Sequence, residues 1–490
     1  MSAETLSKPR SNSFTEQLSD YIKQEKAAIE LIHHIGGLWF DKSVELIIFR
    51  NQLIDRSSSE ILQLHQYACD IVKKPITVFD SLELTSELCK LDLAPSRIDL
   101  GRLTFEWVTE KNNFRSAADF VSKKLVDFIG KEKRSLTPKD VVLYGFGRIG
   151  RIIARELIAQ AGKGEQLRLR AIITRDKSPE DIIKRADLLR NDSVHGPFPG
   201  TVLEDVKKQQ LIINGHTVHM ISAKDPAEID YTAYGISNAL VIDNTGISRD
   251  RDGLGKHLKA KGVDKVLLTA PGKGDIPNVV YGVNQHSSSP DEKIFSAASC
   301  TTNAIVPVLA VIEKTLGIDR GHIETIHSYT NDQNLLDNFH SKYRRGRSAA
   351  LNMVITETGA DKAVSKALPQ LAGKITGNAV RVPTPDVSLA ILNLAVKRQV
   401  TKEQVNEILK DAALKGDLIE QIQFSYSNEL VSTDLVGNPC ASIVDSPATI
   451  VSKDGKNVVL YVWYDNEYGY SRQCLRYAKY LADVIRLTYY

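Results

Sequence analysis

The spacing of apolar residues along the chain changes near residue 137. From residue 14 to 129 apolar side chains recur every three or four positions, as in FTEQLSDYIKQEKAAIELIHHI, and this spacing predicts amphipathic helices. Ser57–Ser59 stand directly before Glu60 and predict a helix start at that point. The charged stretch GKEKRSLTPKD then predicts a linker. Residues 1–136 are therefore expected to form a mainly helical N-terminal extension with a small core of its own.

Beyond the linker, short apolar runs are each followed by a turn. VVLYGFGRIGRIIARELIAQAG predicts a buried strand, a glycine turn and a helix. LRLRAIIT, ALVIDNTG and KVLLTAP repeat the passage from strand to turn. Strands that alternate with helices in this way predict a doubly wound parallel α/β sheet.

The glycine turn GFGRIG is a candidate cofactor site. It places Gly145, Gly147 and Gly150 in G-x-G-x-x-G spacing. In such a turn the first glycine allows a tight bend, the second lets a pyrophosphate approach the backbone, and the third lets the helix pack on the strand. Glycines also mark purely structural turns, but a strand before and a helix after favour dinucleotide binding at the helix N-terminus.

The end of the second strand, AIITRD, leaves the identity of the dinucleotide open. An acidic residue at this place usually holds the ribose hydroxyls of NAD. Here Thr174 and Arg175 occupy it, and Asp176 comes slightly late. Arg175 can accept the 2′-phosphate of NADP; the alternative is a solvated loop residue. Both NAD and NADP are kept as candidate cofactors.

Composition narrows the class of protein. A chain of 490 residues with 42% hydrophobic and 25% charged residues is typical of a soluble protein of two or three domains. A net charge of +3 is too small to predict a nucleic-acid partner. No apolar run approaches the roughly 20 residues that span a membrane, and the N-terminus has no signal core. The five cysteines are scattered without CxxC spacing, which predicts no disulfide framework, no metal site and a cytoplasmic location.

Seven segments in order resemble phosphorylating glyceraldehyde-3-phosphate dehydrogenase: GFGRIGR, NDSVHGPFPGTV, SAASCTTN, IHSYTNDQ, ETGADKAVSKALPQLAGKITG, RVPTPDVS and WYDNEYGYS. The resemblance covers about residues 138–485 and leaves the extension outside the family pattern. It implies a dinucleotide-binding (Rossmann) domain over 138–299, completed by 471–490, and an α+β catalytic domain over 300–470. It also implies oxidation of D-glyceraldehyde 3-phosphate to 1,3-bisphosphoglycerate, with inorganic phosphate as co-substrate and NAD or NADP as hydride acceptor, in a homotetramer.

The resemblance assigns roles residue by residue. Cys300 in SCTTN falls on the family's nucleophile, and His327 in TIHSYT on its base. The positions implied to bind inorganic phosphate and the acyl-transfer transition state are Ser299, Thr301, Thr358, Gly359 and Arg381. Those implied to bind the substrate's own phosphate are Thr330, Arg344 and Arg381. Those implied to contact the cofactor are Gly145, Gly147, Arg148, Ile149, Gly150 and Asn466, to which the strand end adds Thr174 and Arg175.

The chemistry needs these residue types for its own reasons. A free thiol has a pKa near 8.5, so it needs an imidazole or a helix N-terminus beside it to ionise at neutral pH. CTTNAIVPVLAVIEK predicts a helix that opens at Cys300, although Pro307 lies inside it. Taken singly, Cys300 could be a packing residue and His327 a structural histidine; their context favours catalysis. His195 is expected to be structural.

Several positions depart from the family pattern. Asn338 and Phe339 stand where NAD-preferring relatives commonly have Leu-Pro, which together with the basic strand end makes use of NADP a hypothesis. Ala304 replaces a second cysteine. Asp386 replaces the usual asparagine, for which the sequence offers no physical account. In YRRGR, Arg345 is expected to be solvated.

Two other functions stay open from the sequence alone. Erythrose-4-phosphate dehydrogenase releases its acyl enzyme to water, whereas Thr358 and Gly359 at the phosphate position favour phosphorolysis. A non-catalytic regulatory or binding protein on the same scaffold would be expected to have lost Cys300 or His327. Three roles are open for the extension: packing on the tetramer, gating the active site, or binding an unknown regulatory partner.

Overall fold

The charged linker contains the boundary between two units of the chain. The structure is a computed structural model and describes residues 13–176 and 178–490. The first unit runs to Thr137 and also includes Ile485–Tyr490, and the second unit is Pro138–Val484. Throughout the described residues, no helix is both long enough and apolar enough to cross a membrane.

The first unit is mainly helical, as the spacing of apolar residues predicts. Its helices are α1 (Phe14–Lys42), α2 (Ser58–Val72), α3 (Val78–Leu88), α4 (Leu100–Glu110) and α5 (Ala117–Lys124). The helix start predicted before Glu60 is confirmed. Ser57 accepts a hydrogen bond from the backbone N–H of Glu60, whose carboxylate accepts the N–H of Ser57 in return. This reciprocal pair satisfies two donors at the helix start.

A four-stranded sheet completes the first unit, and the sequence analysis did not predict it. Its strands are β1 (Val44–Ile48), β2 (Asn51–Gln52), β3 (Ser96–Asp99) and the C-terminal strand Leu487–Tyr489, in the order β2, β1, β3, C-terminal strand. A run as short as VELII in β1 cannot be distinguished from a helical segment by periodicity. The last strand comes from the opposite end of the chain, which local patterns cannot reveal.

Arg486 helps to hold the C-terminal strand in the first unit. Its guanidinium lies 4.6 Å from the centre of the Trp39 ring and 3.5 Å from a Glu45 carboxylate oxygen. The sequence assigned 471–490 to the dinucleotide-binding domain. In the structure, residues 485–490 instead belong to the unit formed by the extension.

The second unit begins with a parallel sheet. Its strands are β4 (Lys139–Tyr144), β5 (Leu167–Thr174), β8 (Val202–Asp205), β9 (Gln210–Ile213), β10 (His216–Ser222), β11 (Ala239–Asp243), β12 (Val263–Leu268) and β13 (Ile294–Ser296), with a two-stranded ribbon of β6 (Asn191–Asp192) and β7 (Gly196–Pro197) beside them. The order is β13-β12-β11-β4-β5-β10-β9-β8, parallel from β13 to β10 and antiparallel at β9 and β8. The helices are α6 (Arg148–Ala159), α7 (Pro179–Arg190) and α8 (Arg251–Gly255).

A second, mixed sheet follows. Its strands are β14 (Ile318–Ser328), β15 (Val354–Thr356), β16 (Ile375–Val382), β17 (Ser388–Val396), β18 (Ile422–Ser425), β19 (Ser442–Asp445), β20 (Ile450–Val451) and β21 (Asn457–Tyr464). The order is β15-β16-β14-β17-β21-β19-β18, with β20 on β21. The helices are α9 (Cys300–Thr315), α10 (Ala360–Ala367), α11 (Lys402–Leu414) and α12 (Tyr468–Leu481). The two sheets confirm the predicted fold class, a Rossmann-like domain with an α+β domain.

Helix α12 packs in the core of the parallel sheet that contains β4. Its apolar side chains, including Cys474 and Leu475, are buried in one core with Ile153 and Leu157 of α6. Helix α9 instead lies in the core of the mixed sheet that contains β14. Cys300 contacts both cores, so the first residue of α9 is placed where the two sheets meet.

Candidate active site

The three glycines of the turn after β4 each meet a specific spatial requirement. Gly145 has φ +97°, a conformation that favours glycine. A Cβ on Gly150 would lie 2.4 Å from the Gly145 carbonyl oxygen, so only glycine lets α6 approach the strand this closely. A Cβ on Gly147 would meet no atom within 4 Å. Gly147 therefore borders open space, as a pyrophosphate site requires.

The glycine turn lies where the strand order reverses. Chain order runs outward from β4 to β5 on one side and continues at β11 on the other, so β4 and β11 flank the switch point at which such sheets bind ligands. Asn244 and Thr245 follow β11 at this edge, and the side chain of Thr245 would touch a Cβ on Gly145. The sequence analysis missed these two residues, although ALVIDNTG already marked a strand end.

The side chain of Arg148 is engaged within the protein. Its Nε donates to Glu467 at 2.6 Å, and its Nη1 and Nη2 donate to Asp192 at 3.2 and 3.3 Å. These carboxylates raise the pKa of Arg148 against the effect of its burial. The Arg148 side chain is therefore occupied. What a cofactor can contact at the start of α6 is the backbone of Arg148 and of half-buried Ile149.

At the end of β5, Thr174 and Arg175 differ in environment. Thr174 is buried, and its hydroxyl donates to the Asp176 carbonyl at 2.5 Å. Arg175 is exposed, and within the described ranges no carboxylate lies within ion-pair distance of it. Asn338 and Phe339 lie in the loop between β14 and β15, where Phe339 is 88% exposed.

Cys300 and His327 come together as the sequence predicts. Cys300 is the first residue of α9, and His327 is the penultimate residue of β14. Cys300 Sγ lies 3.5 Å from His327 Nε2, within hydrogen-bond range for sulfur. The hydroxyl of Ser299 caps α9 by accepting the N–H of Thr302 at 3.0 Å. The start of the helix is therefore fixed directly beside the thiol.

The contacts of His327 leave Nε2 free to accept a proton. Its Nδ1 lies 2.7 Å from the Ser328 carbonyl oxygen, which can only accept, and 3.1 Å from Arg381 Nη1, which can only donate. The shorter contact, to the carbonyl oxygen, favours the tautomer with its hydrogen on Nδ1. Burial, and after it the charge of Arg381, lowers the pKa of His327 to about 3. The imidazole therefore remains neutral through the physiological pH range, with its Nε2 lone pair directed at the sulfur.

Opposing effects act on the thiol. Burial raises the pKa of Cys300, and the charge of Arg381 and the N–H groups at the start of α9 oppose that rise. The resting pair is a thiol beside a neutral imidazole. The positive groups around Sγ thus lie where they would stabilise a thiolate.

Arg381 lies next to this pair, with its Nη1 3.1 Å from His327 Nδ1. It lies opposite His327 in the register of β16 with β14 and donates to the Ser328 carbonyl at 2.8 Å and to the Thr330 hydroxyl at 3.0 Å. Its Nε is buried and has no hydrogen-bond partner in the part of the chain that the structure describes. A cation with an unused donor favours an anionic ligand.

Arg345 lies close enough for its charge to act on His327 and Arg381, and the expectation that it is solvated is wrong. Its side chain is 12% exposed, forms an ion pair with Asp332 and donates to the Thr356 hydroxyl at 3.0 Å. The adjacent Arg344, to which the resemblance assigns the phosphate contact, is exposed. The sequence did not indicate Asp332 or Arg345. Three arginines within YRRGR give no sign of which one turns inward, and Asp332 is recognised only as the partner of Arg345.

Of the five predicted inorganic-phosphate residues, Arg381 lies on β16 and the other four lie at two helix starts. Ser299 and Thr301 are at the start of α9, where the Thr301 hydroxyl lies 2.9 Å from the Tyr464 hydroxyl. Thr358 and Gly359 precede α10, and the Thr358 hydroxyl accepts the N–H of Ala360. A Cβ on Gly359 would meet nothing within 4 Å, so the start of α10 is open. Helix N-termini of this kind suit phosphate.

Asn466 is fixed by a chain of hydrogen bonds. Its carbonyl oxygen accepts from the Ser388 hydroxyl at 2.6 Å, and that hydroxyl accepts the N–H of Ser328. Val387, which directly precedes Ser388, has φ +64°. For a β-branched residue this conformation is strained and costs on the order of 1–3 kcal/mol. Strain of this kind beside His327 is typical of functional sites.

The parallel sheet with its glycine turn, together with the thiol–imidazole pair, defines a dinucleotide-binding protein of the thiol-dependent dehydrogenase class. Comparison with known families agrees. Residues 139–251 match the NAD binding domain of glyceraldehyde 3-phosphate dehydrogenase, and residues 299–466 match its C-terminal domain.

Individual relatives support the same assignment. A glyceraldehyde-3-phosphate dehydrogenase-like protein of Pseudomonas aeruginosa (strain UCBPP-PA14) is 50% identical over 93% of this chain and 98% of its own length. The glyceraldehyde-3-phosphate dehydrogenase of Zymomonas mobilis is 40% identical over 70% of this chain and 99% of its own length, and the chloroplastic A form of Zea mays is 40% identical over 76% and 89%. This chain belongs to the glyceraldehyde-3-phosphate dehydrogenase family.

The lengths of these matches bear on the extension. The Zymomonas protein is matched almost completely by 347 residues, so it has no counterpart to most of residues 1–137. The match to the Pseudomonas protein spans 457 residues and must extend into that region. The extension is therefore shared with at least one relative and absent from others.

Proposed function

We propose that this chain catalyses the phosphorylating oxidation of D-glyceraldehyde 3-phosphate to 1,3-bisphosphoglycerate with NAD as hydride acceptor. The observation that carries the proposal is the distance of 3.5 Å between Cys300 Sγ and His327 Nε2 at the start of α9. The comparisons support the activity and do not favour erythrose-4-phosphate dehydrogenase or a non-catalytic protein.

The residues present fit the cofactor. The backbone from Gly145 to Gly150 would hold the pyrophosphate, because Gly147 faces open space at the start of α6. Asn466, whose oxygen is held by Ser388, would present its amide to the nicotinamide carboxamide. When bound, NAD supplies the hydride acceptor.

Cys300 and His327 carry the oxidation. The thiol gives its proton to His327 Nε2, and the thiolate attacks the aldehyde carbon. The backbone N–H of Cys300 stabilises the oxyanion, which His327 reprotonates to give a hemithioacetal. As the hydride leaves the former aldehyde carbon, His327 Nε2 accepts the hydroxyl proton, and a thioester remains on Sγ.

Arg381 and the start of α10 carry the phosphorolysis. The unused Nε of Arg381 and the open N-terminus behind Thr358 and Gly359 would bind two phosphate groups, one of the substrate and one inorganic. Attack of a phosphate oxygen on the thioester carbon forms the acyl phosphate and expels the Cys300 thiolate.

A turnover assay with and without inorganic phosphate tests the proposal. With D-glyceraldehyde 3-phosphate, NAD reduction should continue through many turnovers only when phosphate is present, and an acyl phosphate should accumulate. Without phosphate, NAD reduction should stop near one equivalent per site. Equal turnover without phosphate, with free acid as product, would instead support the erythrose-4-phosphate type of reaction.

We further propose that the enzyme also accepts NADP. Arg175 is exposed at the end of β5 and no acidic residue occupies the ribose position. Arg175→Ala should raise the KM for NADP by about tenfold or more and leave that for NAD within about twofold, since a hydrogen bond to a charged group contributes about 1.5–3 kcal/mol. The control is Arg320→Ala, an arginine that is 76% exposed on β14. Equal changes for both cofactors would contradict the assignment.

A homotetramer and a cytoplasmic location complete the proposal. Large apolar side chains are exposed between β14 and β15, and a subunit interface would cover them: Leu335, Leu336, Phe339, Tyr343, Leu351 and Met353, all at least 72% exposed. All five cysteines are free thiols, which suits a reducing compartment.

A further inference from the structure

His195, Asp386 and Glu467 form a second side-chain cluster in the second unit, here called the His195 cluster. Each offers one ligand atom, and these atoms lie within 4.8 Å of one another. His195 Nε2 is 3.3 Å from Glu467 Oε2 and 3.6 Å from Asp386 Oδ2. The three residues come from the turn between β6 and β7, the loop before β17 and the segment between β21 and α12.

Asp386 joins the cluster at an ion-pair distance of 3.6 Å from His195 Nε2. Its side chain has no exposed surface. Within the described ranges, neither of its carboxylate oxygens has a hydrogen-bond partner. A buried carboxylate of this kind is strongly unfavourable unless a positive charge lies beside it.

The neighbouring carboxylates are compensated by other groups. Glu467 accepts two hydrogen bonds from Arg148, and Asp192 accepts two more from the same guanidinium. Asp465 accepts three backbone N–H groups. Arg148 and these backbone donors are therefore engaged with other carboxylates, whereas Asp386 has His195 on one side and also feels the negative charges of Asp465 and Glu467. A cation held between His195, Asp386 and Glu467 would offset that negative charge.

We propose that the His195 cluster binds a divalent transition-metal ion through His195 Nε2, Asp386 and Glu467. In a tetrahedral site with bonds of about 2.0–2.1 Å, ligand atoms lie about 3.3 Å apart. The two spacings around His195 Nε2 are close to that value. Three protein ligands leave a fourth position for water, and one imidazole with two carboxylates suits Zn²⁺ or Mn²⁺.

Arg148 does not prevent this binding. It is held by Asp192 as well as by Glu467, so it keeps a carboxylate partner when Glu467 Oε2 turns to the ion. An ion here would join the turn at residues 192–196 to the segment around Asn466. It would thus connect parts of the chain that border the cofactor turn.

The site goes beyond what the sequence indicated. The sequence assigned His195 a structural role and predicted no metal, because ligands at positions 195, 386 and 467 show no ligand spacing. The family's usual asparagine at 386 is a much weaker ligand than a carboxylate. The proposed site would therefore give the carboxylate at position 386 a physical reason.

Metal binding tests the proposal directly and independently of enzyme activity. Tag-free full-length protein is treated with a chelator, desalted and titrated with Mn²⁺, with free Mn²⁺ measured by electron paramagnetic resonance. Mn²⁺ prefers oxygen and nitrogen ligands to the soft sulfur of Cys300. We expect one bound Mn²⁺ per chain, displaced by Zn²⁺, and at least a tenfold weaker binding in Asp386→Asn. This variant restores the usual asparagine, and thermal unfolding shows whether it is folded.

Two matched variants sharpen the result. His195→Asn should weaken Mn²⁺ binding as Asp386→Asn does. Asp205→Asn, at the half-buried end of β8, should leave it unchanged. Binding that is equal in the wild type and in folded Asp386→Asn would overturn the proposal. The proposal would also be overturned if the wild type had no saturable Mn²⁺ site. In that case a proton, and not a metal ion, would neutralise the Asp386 carboxylate.

Discussion

Cys300→Ser should lower kcat/KM for D-glyceraldehyde 3-phosphate by at least about 10³-fold. A serine hydroxyl is a far weaker acid than a thiol, so His327, with its lowered pKa, cannot generate the alkoxide at neutral pH. An ester would also be a poorer acyl donor to phosphate than the thioester. The measurement is initial-rate NAD reduction at saturating phosphate.

Cys69→Ser is the matched control. Its half-buried sulfur interacts with the backbone of Ile76 in the first unit, a contact that a hydroxyl can replace. This variant should keep wild-type kinetics. If Cys300→Ser retained more than a tenth of the wild-type rate while folded, Cys300 would not be the nucleophile.

The local part of the site could be predicted from the sequence. The glycine turn needs a strand, three glycines and a helix in direct succession, and the structure has them between Lys139 and Ala159. Cys300 at the start of a helix follows from the apolar run after it, because Ser299 supplies the cap. Pro307 does not end this helix: a proline removes one hydrogen bond, and the surrounding core offsets that loss.

Contacts between distant positions could not be predicted. The inward turn of Arg345 depends on Asp332 and Thr356, which reach it only after the loop has folded. The C-terminal strand joins β3 across nearly the whole chain. Asp386 and His195 lie 3.6 Å apart although they are distant in the chain, so no local pattern could bring them together. Sequence patterns report the spacing of neighbours, whereas these contacts depend on how the chain crosses itself.

His327→Asn should lower kcat by about 10²–10⁴-fold while the KM for the aldehyde changes little. Asparagine keeps a polar side chain beside Cys300 but cannot accept the hydroxyl proton of the hemithioacetal as the hydride leaves. Hydride transfer should then become rate-limiting, which a deuterium substituent on the aldehyde carbon reports as a larger isotope effect on kcat.

The pH profile distinguishes loss of a base from loss of structure. Because the pKa of His327 is lowered to about 3, the wild type should show no loss of base function as the pH falls from 8 to about 5. In His327→Asn, solvent hydroxide must remove the proton, so kcat should rise with pH across that range. His33→Asn, an exposed histidine of α1, should retain the wild-type profile. If kcat of His327→Asn were reduced but kept the pH dependence of the wild type, His327 would position the thiol and would not move the proton.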